Sequence, residues 1–564
     1  MKEKYVEPMY VQTPGGLPAE LMNLSLDETC RHLDNHLGNF LLDGAVTSVY
    51  LNRLASDDKL AENPAALSCL SYLLRKYIQI EPFEKNGLGM AQHFVKDDRI
   101  APLLAFLHKL ESVPNTDLER GDAHWMNSRA DEARRSFSRV LSRQPAHLLA
   151  ADRLLRIDVA EGEAPGDWLH AFRCPSQAKE FWNRKVFQAY ARVNRVEESM
   201  ALWPGMNEKD MDELTLNLAA EVFVKAGDRA KAARLYAASL RLDPLQDAVR
   251  RRLDQLSSPF VPNPRLVGER SVNIYLYTWN KADMFGHTLE SLAATDIGGA
   301  GIKILLNGCT DHSRDVAHRA HEMFPNNPVE IIELPVNVGA PAARNWLIAQ
   351  PDTQRADYTA FLDDDVDVQP DWLAHFLTVA EATPRFGVMG CKVLFPEQPR
   401  HYQYLFRNVA IAKPGFFRIS LVTPNNQVDN NVYDFVRPTD NVMGCLHMFS
   451  REALAAHPRF DIRFSPSQLD DISHDLDLRL DGYAVVYTGL VECIHHQSSG
   501  VGIHSRKDLA KLGNVMGNDV KLCFKYLDRL EEFGALRNPP ALLAGERLHQ
   551  FAARMNQTAV AASA

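Results

Sequence analysis

The sequence predicts a multidomain chain: an all-α N-terminal half, an α/β second half built on a mostly parallel sheet, and a helical C-terminal extension. Three observations predict it. Up to about residue 258, apolar residues recur at three- and four-residue spacing, as in LSCLSYLLRKYIQI and RIAPLLAFLHKLESV, while glycine is sparse and β-branched runs are absent. From Ser271 onward, short apolar runs alternate with amphipathic segments. Between the two, SSPFVPNPR (Ser257 to Arg265) is proline-rich and aperiodic, the composition of a linker. A chain of 564 residues also exceeds what one hydrophobic core serves, so two or three domains are expected.

Composition narrows the function. Hydrophobic content of 46% and charged content of 24% are ordinary for a soluble globular protein. A net charge of −10 argues against a general nucleic-acid binder, because phosphate attraction needs a basic surface. MKEKYVEPMY carries no apolar core like that of a signal peptide. No stretch approaches the roughly 18 apolar residues of a membrane span. The eight cysteines are scattered without a C-x-x-C, so disulfides and a thiolate zinc site are not expected, and a reducing cytoplasm is.

The N-terminal half divides at Pro114. Residues 1–113 read as helical and carry no assignable chemistry. In residues 114–258, LTLNLAAEVFVKAGDRAKAARLYAASLRLDP places Leu216, Ala219, Ala220, Phe223, Ala232, Tyr236 and Pro244 at the spacing of paired helices. Upstream, Gly121, Ala133, Phe137 and Pro145 fall at matching positions. Small residues let two helices approach, and the proline ends the second. This pattern resembles a short tetratricopeptide array. Such an array serves either as a partner-binding groove or as a helical scaffold packed on its neighbour, and both readings stay open.

After the linker, placed at 259–268, the α/β region is expected over 269–505. SVNIYLYT reads as a strand, MFGHTLESLAA as a helix, IKILLN as a strand and DHSRDVAHRAHEMF as a helix. VEIIELP is a strand, GAPAARNWLIAQ a helix, YTAFLDD a strand, DWLAHFLTVAEA a helix and FGVMGCKVLF a strand. In such folds, ligands bind beyond the carboxyl ends of the strands. There the chain places Asp363, Asp364 and Asp365, with Asp367 two residues on. Strand alternation puts Asp363 and Asp365 on one face, where like charges repel unless a cation or a donor-rich ligand is present. A hard divalent cation with a diphosphate meets that need. An EF-hand is excluded, since its sixth and twelfth positions would be Val368 and Ala374. A dinucleotide fold is excluded because GGAG (298–301) precedes a strand instead of following one. An acidic turn capping the next helix needs one aspartate, not three.

From Ser271 to about Gly500 the chain resembles a family 2 glycosyltransferase of the GT-A fold. The landmarks are SVNIYLYTWNKADMFGHTLESL with its Asn280-Lys281 pair, IKILLNGCTDHS, NVGAPAARNWLI, FLDDDVDVQPDWL, DNVMGCLHMFSREAL and LDDISHDLDLRLDGYAVVYTGLVECIHH. Asp471 to Gly482 is eleven residues and Gly482 to His495 is thirteen, the family's separations. The resemblance covers about two-fifths of the chain.

It implies a transferase joining a sugar from a nucleotide-sugar donor to a glycan or protein acceptor, with Mn2+ or Mg2+ as cofactor. Asp365 is implied as a metal ligand, Asp363 as a ligand or ribose contact, Asp364 as standing between them, and His495, with His496 as substitute, as a further ligand. Asp471 is the implied general base, with Asp470 the alternative; Ser473 stands where the family commonly has another acid. Thr278, Asn280 and Asn307 are implied at the nucleoside, and Arg344 on phosphate or bracing the aspartates. Asp475 and Asp477 read as a solvated face. Residues 403–435 carry no landmark and are expected to cover or shape the acceptor side as a movable segment. The Gln-x-x-Arg-Trp signature of processive synthases is absent, so transfer of one sugar is expected. Residues 506–564 form the helical extension. The competing reading is an interaction protein whose second domain binds donor without transferring.

Overall fold

The structure is a computed structural model and describes residues 16–411, 419–422, 427–496 and 509–535. From Gly16 to Ser257 the described chain is helical. Helices Thr116–Met126 and Ala130–Arg143 form one hairpin, and Glu213–Lys225 and Arg229–Leu242 another. The second shows why the sequence folds so. The Asp212 and Asp228 side chains accept from the Thr215 and Lys231 N–H groups and start the two helices. Gly227, at φ +85°, makes the turn between them. Ala219, Ala220, Ala232 and Tyr236 are buried between them. In the first hairpin, Gly121 lies against the Phe137 ring, where an added Cβ would sit 2.4 Å from Cε1. Pro145 and Pro244 stand two positions beyond the second helices of the two pairs.

The second half is a curled sheet with helices on both faces. Its strands are β1 (Val272–Thr278), β2 (Gly301–Asn307), β3 (Val329–Leu334), β4 (Tyr358–Leu362), β5 (Val366–Val368), β6 (Phe386–Leu394), β7 (Tyr402–Tyr404), β8 (Asn408–Ile411), β9 (Ser420–Val422), β10 (Val436–Pro438), β11 (Leu446–Ser450) and β12 (Ala484–His495). The main sheet runs β10-β12-β6-β11-β4-β1-β2-β3, with β5 on β12 and β7 on β6; β8 and β9 form a separate pair. The parallel character expected from the sequence holds for β4-β1-β2-β3 and for β12-β6. Beyond β4 the sheet is mixed, because β11 inserts antiparallel between β4 and β6.

This topology makes the site. Strands β1, β4, β6 and β12 all run the same way, so Thr278, Asp363 and His495 come to one edge. The antiparallel β11 begins there, bringing Gly444 and Cys445 alongside, and the Asp363 N–H donates to the Cys445 carbonyl at 2.8 Å. Asp363, Asp364 and Asp365 form the turn between β4 and β5 instead of extending β4. Within the expected linker, Arg265–Glu269 is a short helix whose Leu266 and Val267 are buried in the sheet's core.

The helical half docks on the segment without landmarks. Phe40 stacks on Phe406 with ring centroids 4.6 Å apart. The Leu41 N–H donates to the Tyr433 hydroxyl at 2.9 Å, and Gln427 Nε2 donates to the Leu41 carbonyl at 2.9 Å. Arg252 reaches across to the Asp434 carbonyl at 2.8 Å. The described parts of 403–435 are therefore anchored to the N-terminal helices; residues 412–418 and 423–426 of that segment lie outside the described residues. Helices Leu509–Lys525 and Leu530–Ala535 belong to the expected C-terminal extension, and its residues 506–508 and 536–564 lie outside the described residues. Among the described residues, no helix is long and apolar enough to cross a membrane.

Candidate active site

At the shared strand edge, ligand atoms of Asp363, Asp365 and His495 lie within 4.8 Å of one another. The pairing of β5 with β12 sets Val366 opposite His495, so the histidine reaches the residue before β5. His495 Nε2 stands 3.0 Å from Asp365 Oδ1, and its Nδ1 is fixed at 2.7 Å by Gln403 Oε1. Asp365 Oδ1 is buried and no aligned hydrogen bond reaches it. Two carboxylates and one imidazole, with a buried oxygen unsatisfied, form a donor set that fits a divalent cation.

Positive charge approaches this acidic turn from two sides. Lys281 Nζ donates to Asp364 Oδ1 at 3.1 Å and to Asp365 Oδ2 at 2.9 Å. Arg344, buried on helix Ala340–Ile348, places one guanidinium nitrogen 2.5 Å from Asp470 Oδ2 and the other 3.5 Å from Asp363 Oδ1. Its plane lies over the rings of Tyr277 and Phe460. Tyr277 also donates its hydroxyl to Asp363 at 3.3 Å. Burial pushes Asp363 up to about 6, against the pull of Arg344. Burial also raises Asp364, with Lys281 opposing it. At Asp365, burial acts the same way, but His495 and Lys281 overcome it and hold the carboxyl below its usual range.

The acidic helix Asp470–Leu480 starts beside this cluster. Gln468 and Leu469 adopt positive φ to turn into it. The Ala340 N–H donates to the Pro466 carbonyl at 2.8 Å, and Asn345 exchanges hydrogen bonds with the Phe460 backbone at 2.7 and 2.8 Å. The Ala-Arg-Asn run thus joins two elements: Asn345 ties its helix to the loop before the acidic helix, and Arg344 ties it to Asp470. Asp470 is buried, and burial raises its carboxyl against Arg344. Asp471 is half-buried; its Oδ2 accepts from the Gly444 N–H at 3.2 Å and its Oδ1 from the Ile472 N–H at 2.8 Å.

The residues expected at the nucleoside sit around the same edge but bind protein. Asn280, at φ +52°, accepts from the Thr310 N–H at 2.7 Å and so braces the turn after β2. Asn307 is buried and holds Asn337 at 3.0 Å and the Val338 N–H at 2.9 Å. Thr278 is buried at the end of β1. Trp279, next to it, is 53% exposed and leaves an open indole face at this rim. Gly308 fixes the turn itself: its φ is +70°, and a Cβ there would meet the Asn337 backbone nitrogen at 2.4 Å. Gly308→Ala is expected to cost about 2 kcal/mol or more, read as a lowered unfolding midpoint.

The solvated face read at Asp475 and Asp477 is corrected. Asp475 is fully buried and accepts from Asn441 Nδ2 at 2.8 Å and the Val442 N–H at 3.0 Å, because its helix lies against the loop that leads into β11. Asp477 accepts from the Tyr526 hydroxyl at 2.8 Å and Lys525 Nζ at 2.6 Å, which dock the C-terminal helices. Sequence reasoning did not assign Lys281, Tyr277 or Gln403 to the site. Lys281 carried a signal as the second residue of the Asn280-Lys281 pair; Gln403 lies in the stretch without landmarks.

A half-parallel sheet whose carboxyl edge joins an acidic turn, a histidine and an arginine-clamped acidic helix is a GT-A-like architecture. Residues 274–455 match the family model of glycosyl transferase family 2. Over 164 residues it is 29% identical to the O-antigen biosynthesis protein RfbC of Myxococcus xanthus, a match spanning 28% of this chain and 12% of that relative's length. Among solved structures it is similar to the mannosyltransferase PcManGT from Pyrobaculum calidifontis in complex with GDP-Man and Mn2+, at 17% identity and a TM-score of 0.32, covering 57% of this chain and 90% of that one. It is also similar to GalNAc-T7 with UDP, GalNAc and Mn2+, at 12% identity and a TM-score of 0.35, covering 51% and 55%.

Proposed function

We propose that the chain is a metal-dependent, inverting, non-processive glycosyltransferase that moves one sugar from a nucleotide-sugar to an acceptor hydroxyl. The observation that carries this reading is the convergence of Asp363, Asp365 and His495 at the strand edge, with the acidic helix beside them. A divalent cation, Mn2+ or Mg2+, held by those three side chains would neutralise diphosphate charge as the nucleotide leaves. Arg344 and Lys281 keep the acidic turn folded around that position. Trp279 offers a face for the nucleoside.

Asp471 acts as the base. Its carboxylate accepts the acceptor proton as the hydroxyl oxygen bonds to the anomeric carbon, and the carbon–phosphate-oxygen bond breaks on the opposite side to release the nucleoside diphosphate. Its half-exposed position supports this choice over Asp470, whose carboxylate is clamped by Arg344 inside the protein. The boundaries we propose are 114–258 for the tetratricopeptide-like helices and 269–505 for the transferase domain. The acceptor is a glycan or a protein, and the helical half is the surface we assign to a protein partner.

The test is binding and slow hydrolysis of a panel of nucleotide-sugars, with and without Mn2+ or Mg2+. One donor is expected to bind only with metal and to be hydrolysed slowly. Failure of every donor to bind in either condition overturns the reading and leaves an interaction protein.

A further inference from the structure

A second histidine–carboxylate cluster lies on the outer side of the acidic turn. We propose that His287, Asp367 and His496 form a second metal site, distinct from the donor cluster, that takes a borderline transition-metal ion of the Zn2+ class. Ligand atoms of the three side chains lie within 4.8 Å of one another. His287 Nε2 stands 2.8 Å from Asp367 Oδ1, and His496 Nε2 stands 2.8 Å from Asp367 Oδ2. The imidazoles meet nearly edge to face, with centroids 5.3 Å apart at 83°, so their nitrogens converge on the carboxylate instead of stacking.

Three elements supply these groups, and each is held in place by the backbone. Asp367 is the middle residue of β5, in register with Ile494 of β12. His496 directly follows β12, and its N–H donates to the Asp365 carbonyl at 2.9 Å. His287 lies on helix Ala282–Ala293, which is fastened to β5 by Thr288 Oγ1 on the Val366 N–H and Ser291 Oγ on the Val368 N–H, both at 3.0 Å.

A hydrogen-bonded His–Asp–His triad without metal is the simpler account, and one observation counts against it. Asp367 Oδ1 is buried, yet no hydrogen bond reaches it despite the 2.8 Å approach of His287 Nε2. A metal ion would satisfy that oxygen and both nitrogens together. The geometry is near what it needs: tetrahedral ligands at bonds of about 2.0 Å lie roughly 3.3 Å apart. A small rotation of His287, which is 54% exposed, opens the gap. The ligand chemistry separates the two clusters. Two carboxylates and one imidazole at the donor site favour a hard ion. Two imidazoles and one carboxylate favour Zn2+ and leave a fourth position for water. An ion here would tie helix Ala282–Ala293 to the turn carrying Asp365 and to the end of β12 carrying His495, so it would brace the donor site from outside.

The test uses the full chain in excess Mg2+, with Zn2+ titrated calorimetrically and the thermal midpoint followed in parallel. The wild type is expected to bind one Zn2+ and to gain thermal stability. His287→Ala and His287→Gln should each bind that Zn2+ at least about tenfold more weakly, since loss of a ligand costs no less than loss of an outer partner, and should lose the gain. The glutamine variant keeps a hydrogen bond to Asp367, so weakening there points to ligation. Asp363→Asn should bind Zn2+ as the wild type does. Equal Zn2+ affinity in both His287 variants, no Zn2+ binding in the wild type, or loss of binding in Asp363→Asn alone would overturn the proposal.

Discussion

Asp471→Asn is expected to lower turnover by about 10²–10⁴-fold, the range for loss of a general base, while donor affinity in Mn2+ stays at the wild-type value. That range corresponds to roughly 3–5 kcal/mol of activation free energy. The asymmetry between the two effects follows from where the side chain is held. Asp471 touches none of the residues assigned to the donor cation; its contacts are the Gly444 and Ile472 N–H groups. Asparagine keeps one acceptor oxygen for these donors and supplies nothing that can take the acceptor's proton. Asp470 cannot take over, because its carboxylate points into the protein and is clamped by Arg344 at 2.5 Å. Steady-state turnover set beside donor dissociation constants decides the matter. Unchanged turnover would refute the base assignment, and parallel loss of donor binding would move Asp471 to the donor side.

The features legible in the sequence are those fixed by local pattern. Alternation of apolar runs gave β1 through β4 and their covering helices, since each run is short, buried and bounded by polar turns. The acidic turn was legible because three carboxylates in succession are too costly to arise as filler. Pairings that depend on the third dimension were not. Nothing local says that β11 enters antiparallel between β4 and β6, although that insertion delivers Gly444 to Asp471. Their charge led to the reading of Asp475 and Asp477 as a solvated face of their helix. It could not show that Asn441 and the Val442 N–H meet Asp475 inside, or that Lys525 and Tyr526 return from the end of the described chain to Asp477. Asn280 and Asn307, expected at the nucleoside, both accept backbone N–H groups at this edge, as an amide beside a tight turn does.

Arg344→Gln is expected to cost about 3–5 kcal/mol of stability, the range for removing one partner of a buried ion pair, and to lower turnover as well. Arg344 bridges the two acidic groups: its guanidinium touches Asp470 of the acidic helix and Asp363 of the acidic turn, and the rings of Tyr277 and Phe460 sandwich it away from water. Glutamine loses the charge, so the buried Asp470 and the half-buried Asp363 both lose their guanidinium partner. Burial already raises both carboxyls while Arg344 opposes it, so their folded-state pKa values must climb further in the variant. The sign of the pH dependence then follows. An unfolded aspartate titrates near about 3.9. A folded carboxyl raised above that value binds protons the unfolded chain does not, so its cost is absent at low pH and appears as pH rises through the interval between the two values. The deficit of Arg344→Gln should therefore be large near pH 7.5 and shrink toward pH 5, measured as the difference in unfolding midpoint from the wild type. Arg344→Lys should recover only part of it, because a single ammonium cannot fork between two carboxylates. A deficit independent of pH would mean that Arg344 acts through its packing on Tyr277 and Phe460, and that the charge link between donor turn and acidic helix carries no weight.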